Sequence, residues 1–232
     1  ETGFSPSGPP HLGTFGEIVR TAFVAEAIRR LGFEPAIVAF SDDMDGLRRV
    51  PAGFPAELEE HLGKPLSSIP DPFGDADSFS GNMNGRLHEM AALARVDVDF
   101  RSASEEYRKG TFDDAIRLVL AKDDRVHEIL AADLSAETMK DWFPFMVLCE
   151  DCGRIYSTRV LGFDAETAEV EYRCSVAVGS NDPCGRHGTR SLLGGGGKFP
   201  WKIDWAARWF ALGVDYELYG KDLIPSAEIS DR

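Results

Sequence analysis

The stretch ETGFSPSGPPHLGTFGEIVRTAFVAEAIRRLG, residues 1–32, decides the fold class. Apolar residues recur at helical spacing from Ile18 to Ala27, and Gly32 follows two arginines. Cations in the last turn and a glycine just after them are typical of a helix end. The next apolar run, Pro35-Ala36-Ile37-Val38-Ala39-Phe40, has the length and composition of a strand buried on both faces. Strand, helix and strand in succession predict a βαβ unit whose first loop faces a ligand.

The α/β alternation continues beyond this unit. An irregular connection is expected from Pro51 to Ser80, with a short helical candidate at Ala56–His61. The further predictions are helices at Gly85–Ala94, Thr111–Ala132 and Trp201–Gly213, and strands at Val96–Phe100 and Tyr216–Gly220. The predicted fold is therefore α/β, a Rossmann-like parallel sheet with a cysteine-rich insertion. The expected division is residues 1–143 for the first part of the core, 144–198 for the insertion and 199–232 for the continuation of the core.

Charge and hydropathy restrict the class of function. The formal net charge of −14 opposes a polyanion-binding surface spread over the whole chain, so a small-molecule site is favoured and DNA is not an expected partner. No apolar run of about 18 residues and no basic N-terminal leader occur. We expect a cytoplasmic protein with no membrane partner.

The loop PSGPPHLGT, residues 6–14, has the features of a phosphate site. Gly8 and Gly13 let the backbone approach a ligand closely, two prolines stiffen the loop, and the following helix offers free N–H groups. A histidine donor here, His11, can stabilise charge that develops on phosphate oxygens. The alternative is a surface histidine in a turn.

The sequence of this loop resembles the first signature of the class I aminoacyl-tRNA synthetases, with His11-Leu12-Gly13-Thr14 in place of the HIGH tetrapeptide. The block SDDMDGLRRVP, residues 41–51, is similar to class I lysyl-tRNA synthetases in particular. Two later stretches, SASEEYRKGTFDDAI and WKIDWAARWFALGVDYELYGKD, are similar to the same family in content and order. The resemblance runs along nearly the whole chain.

The resemblance implies activation of lysine by ATP, which enters with Mg²⁺, and attachment of the lysine to tRNA(Lys). It assigns catalysis to His11 and Thr14, with a hydroxyl in place of the second histidine. The implied ATP-binding residues are Ser7, Gly8, His11, Gly13, Gly220 and Asp222. The implied lysine-binding residues are Gly3, Ser5, Asp43, Trp201, Asp204 and Trp205.

Two of these assignments have structural alternatives. One carboxylate of Asp42, Asp43 and Asp45 can bind a substrate amine, which is a donor only, but each can equally cap a loop or a helix. Trp201, Trp205 and Trp209 recur every fourth residue, a spacing that usually means core packing. For Trp209 core packing is the expectation, whereas an indole face of the others can cover the stem or ammonium of lysine.

All four cysteines lie in one window and begin with a C-x-x-C. Cys149, Cys152, Cys174 and Cys184 together supply the ligands of a tetrahedral structural zinc site. His187 can replace a late cysteine, and free thiols without metal are the alternative. The run Gly194–Gly197 before Lys198 fails as a phosphate loop because Phe199 stands where Ser or Thr is needed, so a flexible linker is expected.

None of the seven lysines lies in a context like the lysine-rich second signature of class I synthetases, so we expect a fragment of the catalytic core that is poorly active alone. Three functions stay open. The first is class I lysine–tRNA ligation, and the second is another adenylyl transfer of the HxGH type, including a synthetase for a different amino acid. The third is a non-catalytic, zinc-dependent binding module.

Overall fold

The computed structural model describes residues 1–131 and 134–232. The backbone packs as two compact units, residues 1–104 with 215–220 and residues 105–214 with 221–232. The described helices and strands, in chain order, are β1 Thr2–Phe4, α1 Leu12–Arg30, β2 Val38–Ser41, α2 Phe79–Leu93, β3 Asp99–Ser102, α3 Ala103–Lys109, α4 Asp113–Ala121, α5 Asp123–Leu130, α6 Ala136–Lys140, β4 Met146–Val147, β5 Thr158–Asp164, β6 Glu169–Cys174, β7 His187–Ser191, β8 Gly197–Lys198, α7 Trp201–Leu212 and α8 Ile224–Ser230.

The first unit contains the predicted parallel sheet. Strand β2 pairs in parallel with β1 on one side and β3 on the other, which places β2 in the centre. Ala39, Phe40 and Ser41 are all buried, so this strand is covered on both faces as its apolar sequence predicts. The loop from β1 to α1 leaves the carboxyl end of β1, where open α/β sheets bind ligands.

Helix α1 ends where the sequence predicts. The N–H of Gly32 donates to the carbonyl of Arg29, and the N–H of Phe33 donates to that of Ile28. Gly32 has φ +90°, so the two bonds form a Schellman-type end that favours glycine.

The connection between β2 and α2 is irregular as expected, with the predicted short helix present as a 3-10 helix at Ala56–His61. Helix α2 begins earlier than predicted, at Phe79, because the hydroxyl of Ser78 accepts from the N–H of Gly81 and caps it. Strand β3 lies slightly later than Val96–Phe100.

Two predicted elements of the chain are wrong. The long helix expected at Thr111–Ala132 is two helices, α4 and α5, separated by Lys122, whose φ of −117° is not helical; Ala132 itself lies outside the described residues. The strand expected at Tyr216–Gly220 is irregular chain. Helix α7 is confirmed, and Gly213 ends it with φ +62°.

The second unit holds helices α4, α5 and α7 and an antiparallel sheet in the order β5-β6-β7. Strand β6 alternates exposed and buried residues along its length, and its inward side chains are Val170, Tyr172 and Cys174. A second small sheet pairs β4 with β8, so the glycine run leads directly into a strand. In the described part of the chain, no helix combines the length and apolarity needed to cross a bilayer.

Candidate active site and cysteine cluster

His11 is the N-cap of α1. Its Nδ1 accepts hydrogen bonds from the N–H groups of Gly13, at 3.0 Å, and Thr14, at 3.3 Å. An imidazole nitrogen that accepts carries no proton, so the neutral ring has its proton on Nε2. The ring is exposed to solvent. His11 therefore offers one N–H donor at the positive end of a 19-residue helix.

This cap changes the predicted phosphate site. Two N–H groups expected to be free for a ligand, those of Gly13 and Thr14, already have an acceptor in His11. The position of the His11 ring requires a glycine at residue 13, because a Cβ on Gly13 would lie 2.8 Å from Cε1 and 2.9 Å from Nδ1 of His11. The donor presented outward is thus the imidazole, held in place by the helix beneath it.

The other predicted residues of this loop lie at the carboxyl end of the sheet. Gly3 belongs to β1 and pairs with Phe40, while Ser5 and Ser7 are exposed in the loop. A Cβ on Gly8 would meet no atom within 4 Å, so the backbone is open to a ligand there. The first unit brings these residues and His11 into one connection between β1 and α1.

Asp43 is a buried carboxylate with partners in its own unit. It is only 4% exposed. Its Oδ2 accepts from the hydroxyl of Ser102 at 2.6 Å, and its Oδ1 accepts from the N–H of Ser104 at 2.8 Å. These bonds join the chain after β2 to the chain after β3, which is the capping role named as the alternative for this aspartate.

The tryptophan row of α7 lies in the second unit. Trp201 and Trp205 stack with ring centroids 5.3 Å apart, and Trp205 meets Trp209 at 5.0 Å. Trp205 is 2% exposed and Trp201 is 40% exposed. Trp205 is therefore a core residue by burial, whereas the ring of Trp201 is exposed and can meet a ligand.

Asp204 is the centre of a buried polar network. Its carboxylate accepts a short hydrogen bond from the hydroxyl of Tyr107 and lies 3.6 Å from Nζ of Lys198 and 3.9 Å from Nε of Arg208. The Tyr107 oxygen in turn accepts from the N–H of Phe199 at 3.0 Å. Burial, reinforced by the Asp204 charge, raises the pKa of Tyr107 well above its usual range. No local sequence pattern marks Tyr107 and Lys198 as members of this buried network.

Gly220 and Asp222 are both exposed. They do not follow a strand as predicted, because Asp222 lies in a short 3-10 helix, Lys221–Leu223. They also fall in different units, Gly220 in the first and Asp222 in the second.

The four cysteines converge in the second unit. Their sulfur atoms all lie within 4.8 Å of one another. Cys149 and Cys184 are 3.6 Å apart at Sγ, and Cys152 and Cys174 are 3.8 Å apart. Four thiolates placed about 2.3 Å from one tetrahedral zinc are separated by about 3.8 Å, so the spacing fits that ion.

The surroundings of the sulfurs differ. Burial raises the pKa of the Cys149 thiol to about 12. Burial also acts on Cys152, but the hydrogen bond from the N–H of Arg154 and neighbouring groups outweigh it and lower its pKa to about 7. Thiolate is the form that binds metal, so the lowered pKa of Cys152 favours its ligating form.

Ser157 is a neighbour of the cluster that the sequence analysis missed. Its hydroxyl lies 3.2 Å from Sγ of Cys174 and 3.9 Å from Sγ of Cys152, and it is fully buried. His187, considered as a substitute ligand, instead directs Nε2 to Glu171 at 2.7 Å and lies outside the cluster.

The chain also matches a known protein family. The model of a family described as tRNA synthetases class I (K) matches residues 1–232. The chain belongs to this family. The predicted resemblance to class I lysyl-tRNA synthetases is thereby confirmed.

Curated relatives of this class I (K) synthetase chain carry the name lysine–tRNA ligase. The protein of Cenarchaeum symbiosum (strain A) is 38% identical over 234 residues, which cover all of this chain and 45% of the relative. The protein of Haloarcula marismortui is 41% identical over 238 residues, covering 95% of this chain and 43% of the relative. The protein of Rickettsia africae is 37% identical over 232 residues, which cover 99% of this chain and 43% of the relative. The chain spans a little under half the length of these relatives.

Proposed function

We propose that this chain contributes the nucleotide-binding core of an enzyme that activates lysine with ATP and attaches it to tRNA(Lys). The observation that carries the proposal is the His11 cap at the loop between β1 and α1. It presents a fixed N–H donor at a helix N-terminus, which suits an anionic ligand. The family and the name shared by relatives from archaea and bacteria support lysine as the amino acid.

The reaction proceeds in two steps. An oxygen of the lysine carboxylate attacks the α-phosphorus of ATP, a P–O bond to the β-phosphate breaks, and pyrophosphate leaves with its electrons. A hydroxyl of the tRNA terminal ribose then attacks the lysyl carbonyl, and AMP leaves. Negative charge grows on the phosphate oxygens during the first step, and Nε2–H of His11 donates to it while Nδ1 keeps the ring oriented. Ser7, Gly8, Gly13 and Thr14 shape the loop around the triphosphate, which enters as its Mg²⁺ complex.

Lysine recognition divides between contacting and supporting residues. In the first unit, Gly3 in β1 and Ser5 just after it are the residues proposed to contact lysine. In the second unit, the exposed face of Trp201 suits an aliphatic stem or an ammonium group. The burial of Trp205 and Asp204 favours roles behind the contacting residues, because each is already packed or hydrogen-bonded within its unit. Asp43 likewise acts through the loops it joins.

A structural zinc ion belongs to the same proposal. Cys149, Cys152, Cys174 and Cys184 would hold it, and the sulfur spacing supports this ligand set. Bound zinc supplies a crosslink between the turn at Cys149–Cys152 and the ends of the antiparallel sheet. It takes no part in the transfer of lysine.

ATP–pyrophosphate exchange with a panel of amino acids tests the function. The full-length protein, purified without chelator, is expected to exchange label with lysine and more weakly with close lysine analogues. Exchange driven by another amino acid would assign a synthetase of different specificity. Exchange with none, in a protein that carries zinc and is folded, would favour a non-catalytic binding module.

A further inference from the structure

The start of helix α7 is held by a tyrosine from helix α3. Pro200 occupies the N-cap position of α7, and its ring offers no acceptor to the N–H groups of the first turn. The hydroxyl of Tyr107 binds on both sides of this start. Its oxygen accepts from the N–H of Phe199 at 3.0 Å, and its proton is donated to the carboxylate of Asp204. One hydroxyl therefore ties the residue before the cap to the first turn of the helix.

Trp201 lies between these two tied points. It is the first residue of α7, after Phe199 and before Asp204 in the chain. Its ring stacks on that of Trp205 with the two planes 25° apart, and Trp205 follows Asp204 directly. Trp205 is buried while Trp201 is exposed, so the exposed ring rests on a support that belongs to the same tied turn.

The hydroxyl of Tyr107 is itself held in one place. Tyr107 is only 1% exposed, and its ring packs against those of Phe112 and Phe199, with centroids 4.6 and 6.3 Å away. The carboxylate of Asp204 also faces the buried ammonium of Lys198 at 3.6 Å. An ammonium has donors only, so the carboxylate is the acceptor for both groups, and the tyrosine oxygen keeps its lone pairs for the N–H of Phe199.

We propose that Tyr107 is a positioning residue for lysine recognition, because its hydroxyl holds the start of α7 so that Trp201 keeps one exposed ring face in place for the stem or ammonium of lysine. The proposal rests on the proposed function, since that function makes lysine the ligand of this ring. Tyr107 is buried, so it acts through Trp201 and not by contact with lysine.

Tyr107→Phe tests the role directly, because it removes the hydroxyl and keeps a ring of nearly the same shape in the core. In lysine-dependent ATP–pyrophosphate exchange by the full-length protein, it should raise the Michaelis constant for lysine about tenfold. The kcat and the Michaelis constant for ATP should change less than about twofold, which is the signature of a lost binding contact. An unchanged Michaelis constant for lysine would overturn the proposal.

Tyr172→Phe is the matched control in the same unit. Tyr172 is as buried as Tyr107, and its oxygen also accepts from a backbone N–H, that of Glu150 at 3.1 Å. Its hydroxyl also lies 3.5 Å from a carboxylate oxygen, that of Glu150. Both variants lose the same kinds of bond and should melt at a lower temperature, but only Tyr107→Phe should weaken lysine binding. Equal rises in the Michaelis constant for lysine would indicate general loosening of the unit and would overturn the proposal.

A double-mutant cycle tests whether Tyr107 acts through Trp201. Trp201→Ala should raise the Michaelis constant for lysine about tenfold or more. Addition of Tyr107→Phe to that variant should raise it by less than about a further twofold, because no ring is left to position. Effects that multiply would mean that the two residues contribute independently, which contradicts a role through Trp201.

The stacked rings report their own position in the absence of lysine. The near-ultraviolet circular dichroism of each protein, minus that of the same protein with Trp201→Ala, isolates the contribution of this stack. Well below the melting temperature, Tyr107→Phe should lose most of that contribution, and Tyr172→Phe should keep it.

The dichroism also separates the positioning role from the proposed function. Lost dichroism in Tyr107→Phe, with lysine binding unaffected by Trp201→Ala, would overturn lysine as the ligand of this ring and leave the hold on α7 standing. Unchanged dichroism in Tyr107→Phe, with lysine binding weakened by Trp201→Ala, would overturn the positioning role and leave the proposed function standing.

Discussion

The two ring nitrogens of His11 have different tasks. Nδ1 accepts from the N–H groups of Gly13 and Thr14, which fixes the ring, and Nε2 keeps the proton that can be donated. A substitution at this position therefore removes a helix cap and a donor together. The two effects are separable because they appear in different measurements.

His11→Ala is expected to lower the rate of lysine-dependent exchange by about a hundredfold or more, since the donation to phosphate is made mainly in the transition state. The Michaelis constant for lysine should change little. His11→Asn, which caps a helix and keeps an amide donor, should recover part of the rate. A loss of melting temperature with an unchanged rate in His11→Ala would make the histidine a structural turn residue.

Gly13 has a role that follows from the position of the ring. Gly13→Ala would place a Cβ 2.8 Å from Cε1 of His11, so the imidazole has to leave its cap. The exchange rate should fall about tenfold or more, although alanine has the higher helix propensity. Gly16→Ala in the same helix is the control, because its Cβ would lie 3.6 Å from the flexible end of Arg20. That variant should keep its rate and gain stability, and an equal loss in both variants would contradict the argument.

At the scale of single residues, the sequence predicts which residues carry chemistry better than it predicts the groups that they contact. His11 and the four cysteines are recognisable because their chemistry depends on residue type and spacing. The cap formed by Nδ1 is not predictable, since it depends on the rotamer of the ring and the path of the loop. The burial of Asp43 and Asp204 is equally unpredictable from sequence. Asp43 and its partner Ser102 are 59 residues apart along the chain, and Asp204 and its partner Tyr107 are 97 residues apart.

Among the elements, those with local end signals were predicted well. Helices α1 and α7 both end at a glycine with positive φ, which the sequence marks directly. The break between α4 and α5 has a weaker signal, two aspartates after Lys122 that favour a new helix start. The residues Tyr216–Gly220 have strand composition, but strand pairing is a tertiary property that composition does not supply.

The glycine run is an element whose prediction was wrong for a definable reason. A flexible linker was expected, but Gly196 and Gly197 are buried and Gly197 pairs with Val147. A Cβ on Gly196 would lie 1.9 Å from the carbonyl oxygen of Ser191, and one on Gly197 would lie 2.0 Å from that of Met146. The glycines are there for close backbone approach and not for mobility.

Gly197→Ala should consequently destabilise the second unit by about 2 kcal/mol or more, because the obstructing atoms are backbone and cannot rotate away. Denaturant unfolding measures this change in the free energy of unfolding. Gly162→Ala on β5 is the control, since its Cβ would meet nothing within 4 Å. A Gly197→Ala protein as stable as the Gly162→Ala protein would show that the chain here can shift freely.

On the scale of the whole molecule, the chain is two units with separate cores. The first is centred on the parallel sheet with Phe40 and Phe79 fully buried, and the second on Tyr107, Phe112 and Phe199. The α/β class and the position of the loop between β1 and α1 were predictable from the order of elements. The expected three-part division of the sequence at residues 143 and 198 stays a prediction. The grouping of residues 215–220 with the first unit could not be predicted, because it joins segments far apart in sequence.

This organisation predicts a local response to loss of metal. The four cysteines and strands β5, β6 and β7 all belong to the second unit, and the turn at Cys149–Cys152 joins the sheet through the four sulfurs, the bonds around Tyr172 and the Arg186–Glu150 ion pair. Structural zinc in small sites contributes folding free energy directly. The purified chain should contain about one zinc ion, and a chelator should remove it. Hydrogen exchange of amides in β5–β7 should then accelerate strongly, while amides in β1–β3 keep their protection.

Cys174→Ser should reproduce the chelator effect without treatment, and readdition of zinc should reverse the effect only in the wild-type chain. Equal loss of protection in both sheets would mean that the metal supports the whole molecule, and no change in either would mean that the cysteines are free thiols.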